Sequence, residues 1–172
     1  PARPAELSYA SGPEAYSRAN RGLPTVSFVS EPLEEALEVT GHINLVLWVS
    51  SDTDDMDLFA YLRNMAPDGS VETATRGILK VSHRRLDPEL STAYRPIYLH
   101  EREEKLVPGE IVPIEVEIWA TSMVFEPGHR IRLDIDAHDG SHYFSAYNLY
   151  DNSIYVGGEY PSKLILPIIP IQ

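Results

Sequence analysis

The sequence predicts an all-β protein, an antiparallel jelly-roll β-sandwich. Three observations predict it. Apolar and polar residues alternate with period 2 in several runs, and no segment keeps a helical period for more than about two turns. The prolines, 14 of them, fall between the apolar runs rather than inside helical ones. Turn pairs recur along the chain: Thr40-Gly41, Asp68-Gly69, Pro108-Gly109, Pro127-Gly128, Asp139-Gly140 and Gly157-Gly158. An α/β fold would need helices of about 10–15 residues between the strands, and none is offered.

The elements follow in order. Residues 1–22 have no periodicity and read as an arm or linker ahead of a sandwich domain at 23–172. Short strands are expected at 25–30 and 37–40. The run 43–50, Ile-Asn-Leu-Val-Leu-Trp-Val-Ser, is nearly continuous in apolar residues and reads as a central strand. Residues 57–65 and 71–80 flank Ala66-Pro67-Asp68-Gly69, where Pro presets φ and Gly accepts a positive φ, so this pair reads as a β-hairpin. Residues 82–108 carry few strand signals but many charges, and are expected to form an extended surface loop packed against something.

Ile114, Val116 and Ile118 alternate with Glu115, Glu117 and Trp119, and Pro113 at the head of that run suggests an edge strand or a bulge. The clearest alternation is at 129–137. Ile131, Leu133, Ile135 and Ala137 point one way, and Arg130, Arg132, Asp134 and Asp136 point the other. Two last short strands are expected at 154–156 and 164–168. About eight to ten strands so punctuated make a sandwich or jelly roll.

Composition narrows the function classes. Lys and Arg number 14 against 26 Asp and Glu, a net charge of −12, and the longest basic run is Arg84-Arg85. That excludes nucleic acid and an anionic membrane surface as partners, since both need a basic patch. Most carboxylates are expected on solvated positions: Glu34, Glu35, Glu38, the run 52–57, Glu115, Glu117, Asp134 and Asp136. The chain has no cysteine, which removes disulfides, thiolate metal sites and cysteine nucleophiles. We expect a cytoplasmic protein, although a secreted β-sandwich can also lack cysteine. No apolar run approaches the roughly 18 residues that span a bilayer. Pro1-Ala2-Arg3-Pro4 has neither an apolar leader nor a starting Met, so a fragment of a longer protein is expected.

The chemistry searched for is mostly missing. No serine lies in G-x-S-x-G, and the phosphate and dinucleotide glycine patterns are absent. Three constellations remain. Asp52, Asp54, Asp55 and Asp57 are oxygen-rich enough for calcium, but read more simply as a solvated turn whose side chains cap backbone N–H groups. His138 and His142, close to Asp134 and Asp136, have the atoms for a transition metal, but Gly140 between them argues against the helix that would put them on one face. No cofactor is expected. Tyr143, Phe144, Tyr147, Tyr150, Tyr155 and Tyr160 crowd into 18 residues among Ser, Asn and Asp, which suits an interface or pocket rim, most of all at the first four.

The order of several motifs is more specific than any one of them. They are residues 28–41, then Leu45-Val46-Leu47-Trp48-Val49-Ser50-Ser51-Asp52-Thr53-Asp54, Gly77-Ile78-Leu79-Lys80-Val81-Ser82-His83-Arg84, Leu106-Val107-Pro108-Gly109-Glu110, Phe125-Glu126-Pro127-Gly128-His129-Arg130-Ile131-Arg132-Leu133 and Gly157-Gly158-Glu159-Tyr160-Pro161. In this order the chain resembles the C-terminal domain of X-Pro dipeptidyl-peptidases and cocaine-esterase-like acyl hydrolases over residues 24–168. The stretch 139–152 departs from the pattern. The resemblance implies a galactose-binding-like jelly roll without catalytic residues, beside an α/β-hydrolase domain that carries the Ser-His-Asp triad and a helical cap. No triad member carries over to this sequence, and His129, although within a motif, is not one. The implied partner is that catalytic domain, with a homo-oligomer contact as a further use. Two rivals stand beside this reading. One is a free-standing carbohydrate-binding module that uses Trp48, Trp119 or the tyrosine-rich loop. The other is a metal enzyme built on His138 and His142.

Overall fold

The computed structural model describes residues 3–8, 13–16, 26–136 and 151–170. Ten strands are built from them: β1 (Arg3–Ser8), β2 (Pro13–Tyr16), β3 (Val26–Val29), β4 (Leu37–Ser51), β5 (Asp57–Met65), β6 (Val71–Lys80), β7 (Val112–Phe125), β8 (Arg130–Asp136), β9 (Asn152–Tyr155) and β10 (Lys163–Ile169). One turn of 3-10 helix, Val81–His83, follows β6. Among the described residues no helix is long and apolar enough to cross a membrane.

All strands pair antiparallel, in the order β1-β10-β4-β7-β6-β5-β8-β3, with β9 also on β4 and β2 on β9. The spine is β4. One edge pairs with β7 from Leu37 to Val49. The other edge pairs first with β10 and then, from Trp48 to Ser51, with β9. The two segments expected at 37–40 and 43–50 are thus one strand. A bulge between Gly41 and Ile43 joins them. Gly41 takes φ +132 there, a conformation L side chains rarely adopt.

The sheet curls on itself into a β-sandwich. Phe28 of β3 and Leu133 of β8 meet Leu45 and Leu47 of β4 and Leu164 of β10 around a void of only about 10 Å³. So small a gap leaves the two halves in close contact. The period-2 pattern supplies the side chains. Ile114, Val116 and Ile118 of β7 and Ile131, Leu133 and Ile135 of β8 are all buried, as their alternation requires. The hairpin forms where expected, β5 pairing with β6 from Asp57↔Lys80 to Met65↔Val71. Its turn closes through Gly69 N–H to the Ala66 carbonyl at 2.9 Å and Ser70 N–H to Asp68 Oδ1 at 2.9 Å. The Ser70 hydroxyl and N–H hold the exposed Asp68 carboxyl below its ordinary pKa.

Several expectations change. The aperiodic N-terminal stretch contains two paired strands, β1 on β10 and β2 on β9, because backbone pairing needs no side-chain alternation. Around Pro113, β7 pairs with β4, and its one ladder contact with β6 comes later, Gly77 opposite Ile118, so the proline faces no second strand. Asp134 is not solvated. It lies 2% exposed on the outer face of β8, covered by Arg63 Nε at 2.7 Å, Arg132 Nε at 2.7 Å and the Ser27 hydroxyl at 2.6 Å. Flanking strands β5 and β3 bring in Arg63 and Ser27, which the alternation of β8 alone does not reveal. Asp55 is likewise fully buried, while Asp52 and Asp54 are exposed and Asp57 is half-buried.

Candidate docking face and histidine cleft

The segment between the 3-10 helix and β7 is anchored at its root by Asp55. Its carboxylate accepts from Ser82 N–H at 2.9 Å and Met56 N–H at 3.0 Å. Lys80 Nζ and Lys105 Nζ lie 3.2 Å and 3.1 Å from its other oxygen. Burial alone would raise its pKa, but the bonds from Ser82, Lys105 and Lys80 win and hold it below the ordinary value. Asp55, expected in a solvated turn and weighed only as a weak calcium candidate, is therefore a buried structural clamp with its oxygens already engaged. Among the described residues no three His, Cys, Asp or Glu side chains are grouped to hold a metal.

From that root the segment runs over the outside of β4 and β7. Leu86 and Tyr98 form an isolated bridge, and Leu106 is buried as a plug. The Tyr98 hydroxyl donates to the Glu115 carbonyl at 2.9 Å and accepts from Glu117 N–H at 2.9 Å. Burial, more than the nearby Glu117 and Glu115 charges, pushes its pKa far above the ordinary tyrosine value, so the ring stays neutral and bridges two backbone groups. Asn44, 1% exposed, donates to the Ala93 carbonyl at 3.2 Å and to Glu115 Oε2 at 2.6 Å. The long loop therefore packs against the sheet, as its length and charge suggested. Glu104 gathers the basic residues of this loop, with Arg84, Arg85 and Arg102 within 4.0 Å.

The loop and β6 enclose an open cleft of about 420 Å³ lined by Ile78, Lys80, His83, Tyr98, His100 and Glu117. Its distinctive feature is a histidine pair. His83 Nδ1 and His100 Nδ1 are 3.3 Å apart, and Glu103 Oε1 stands 3.8 Å from His83 Nε2. The two histidines are 17 positions apart along the chain, so spacing gave no signal for the pair. Neither ring is bonded to a serine or threonine hydroxyl among the described residues, so no Ser-His dyad exists here to activate a nucleophile.

A second feature is exposed apolar surface on neighbouring strands. Trp119 of β7 is 50% exposed with Arg76 of β6 over its ring at 5.5 Å, and Val124 of β7 and Val71 of β6 are also exposed. Trp48 is different. It is half-buried and leans on Tyr160, with ring centroids 5.6 Å apart, and Tyr160 leans on Tyr155 at 5.1 Å. These rings pack on one another in tilted pairs, with interplanar angles of 57° and 54°. Tyr143, Phe144, Tyr147, Tyr150, His138 and His142 lie outside the described residues.

Comparison with known proteins follows the same line. The model of the X-Pro dipeptidyl-peptidase C-terminal non-catalytic domain matches residues 7–165. A candidate serine esterase of Mycobacterium bovis is 34% identical over 150 residues, covering 84% of this chain and 24% of that protein. The cocaine esterase of a Rhodococcus species is 30% identical over 156 residues, covering 83% of this chain and 25% of that protein. A crystal structure of a CocE/NonD family hydrolase from Staphylococcus aureus superposes with a TM-score of 0.81 at 31% identity, covering 96% of this chain and 34% of that one. The chain spans about a quarter of the length of the esterases it matches.

Proposed function

Since the chain belongs to the family of X-Pro dipeptidyl-peptidase C-terminal non-catalytic domains, we propose that it serves a larger α/β-hydrolase-type serine acyl hydrolase as an accessory domain. In this reading it packs on the catalytic domain and helps to shape the substrate cleft. The observation that carries it is the family match over residues 7–165. The reaction of the whole protein would be attack of a serine on an acyl carbonyl, with histidine as base and an oxyanion hole. Esterase relatives above the 30% level favour an ester over a peptide bond as the substrate. A cysteine-free composition suits a cytoplasmic location for that enzyme.

To the contact with the catalytic domain we assign the exposed Trp119 and Val124 of β7 and Val71 of β6, since an exposed tryptophan on a sheet is the kind of anchor that interfaces bury. Two measurements test the reading. The chain alone should hydrolyse p-nitrophenyl esters only at background rate, whereas the polypeptide encoded with its upstream sequence should turn them over; failure of the longer protein to do so overturns it. Trp119→Ser should leave the stability of the chain within about 0.5 kcal/mol but lower the activity or thermal midpoint of the longer hydrolase. If Trp119→Ser leaves the longer protein unchanged, the assigned face is wrong.

A further inference from the structure

We propose that His83 and His100 form a two-imidazole site for a divalent transition-metal ion, zinc above others, at the mouth of the cleft. The inference rests on the cleft alone and is independent of the accessory-domain reading. Two nitrogens each bound at about 2.0–2.1 Å to a tetrahedral ion lie about 3.3 Å apart. The two Nδ1 atoms are 3.3 Å apart. Neighbouring ligands of a square-planar copper(II) ion would instead lie about 2.8 Å apart.

Ring positions give an independent check. Imidazoles aimed at a shared tetrahedral ion place their centroids about 5.2 Å apart; rings aimed head-on at each other, with the same nitrogen separation, place them about 5.6 Å apart. The centroids here are 5.3 Å apart, with the planes tilted by 45°. The nitrogen separation is also longer than the usual N–H hydrogen bond of about 2.9–3.0 Å.

The surroundings favour a ligand pair. Glu103 places a carboxylate oxygen 3.8 Å from His83 Nε2, on the side away from His100, and its other oxygen lies 3.2 Å from Lys105 Nζ. His100 sits at φ 51, a left-handed conformation uncommon for a residue other than glycine. It is kept there by Leu99 N–H bonded to the Arg85 carbonyl at 3.0 Å and by the pinned Tyr98 ring, 5.6 Å from its own. Such held strain is characteristic of functional positions. The cationic Lys80 in the cleft wall is paired with Asp55, so its charge is compensated. Glu117 adds a carboxylate to the lining, itself paired with His42 and Arg95.

In the bound state both Nδ1 lone pairs turn to the ion, so each neutral ring carries its proton on Nε2. Among the described residues no third protein ligand joins them, so the remaining positions belong to water or to an oxygen of a bound ligand. Equilibrium dialysis with zinc chloride, followed alongside by NMR of the imidazole C–H signals, tests this. The chain should bind one equivalent of zinc saturably. His83→Ala and His100→Asn should each abolish it. Asparagine tolerates the left-handed backbone, and far-UV circular dichroism checks that each variant keeps the fold. No saturable binding by the unaltered chain overturns the proposal. So does binding that survives both histidine substitutions, because it then belongs to other histidines.

Discussion

Asp55 and Tyr98 show how much a single polar side chain can hold. Asp55 ties Met56, Ser82, Lys80 and Lys105 to one buried point. Asp55→Asn keeps an acceptor but removes the charge that two lysines face. Its cost should be about 2 kcal/mol, moderated because both lysines are partly exposed, and urea unfolding would measure it. The pH dependence follows from a depressed carboxyl. The contribution of Asp55 is complete above its unfolded value near 3.8 and is lost as pH falls through the lower folded value. The variant's acid unfolding curve should therefore converge with that of the unaltered chain only in that acid range. Convergence near neutrality would contradict the assignment. Tyr98→Phe strands the Glu117 N–H and the Glu115 carbonyl beneath the loop, which should cost about 1–3 kcal/mol. Amide exchange at Glu117 should rise with it, and an unchanged rate would show that the bridge carries no weight.

At the scale of elements, the contact between β6 and β7 depends on Gly77. A Cβ there would stand 2.1 Å from the Glu117 carbonyl oxygen, a backbone atom that cannot swing aside. Gly77→Ala should therefore push the strands apart and cost about 3 kcal/mol or more. Gly69→Ala is the control. Its hairpin position has a φ of +86 but open space around it, so only about 1 kcal/mol of backbone strain is expected. Equal costs for the two would show that close approach is not what Gly77 provides. The hairpin itself was legible in the sequence because Pro67-Asp68-Gly69 is local turn chemistry between two alternating runs. The strands β1 and β2 were not, because their partners β10 and β9 lie far along the chain.

At the scale of the whole molecule, β4 is the centre of one half of the sandwich and packs on the other. It pairs with β7, β10 and β9 and faces β3 and β8 across the core. The halves should not unfold separately. Tryptophan emission, reporting Trp48 in its aromatic cluster and Trp119 on the surface, should share one denaturation midpoint with far-UV circular dichroism. Two midpoints would mean that the curl of the sheet is not one cooperative unit.

Alternation and turn residues, both local, determined the fold class, the strands of the core and the hairpin. Ile131, Leu133 and Ile135 could be assigned to the interior without knowing what lay opposite. The ordered motifs determined the family for the same reason, since they are linear. Tertiary structure alone decided which polar residues matter. Asp134 and Asp55 look like surface carboxylates until neighbouring strands bring arginines, lysines and a helical turn onto them. His83 and His100 become a pair only because Asp55 and Tyr98 fix the two ends of the loop between them. Burial of an apolar side chain is written in its own strand's period. The partners of a charged one are set by chain segments that only folding brings together.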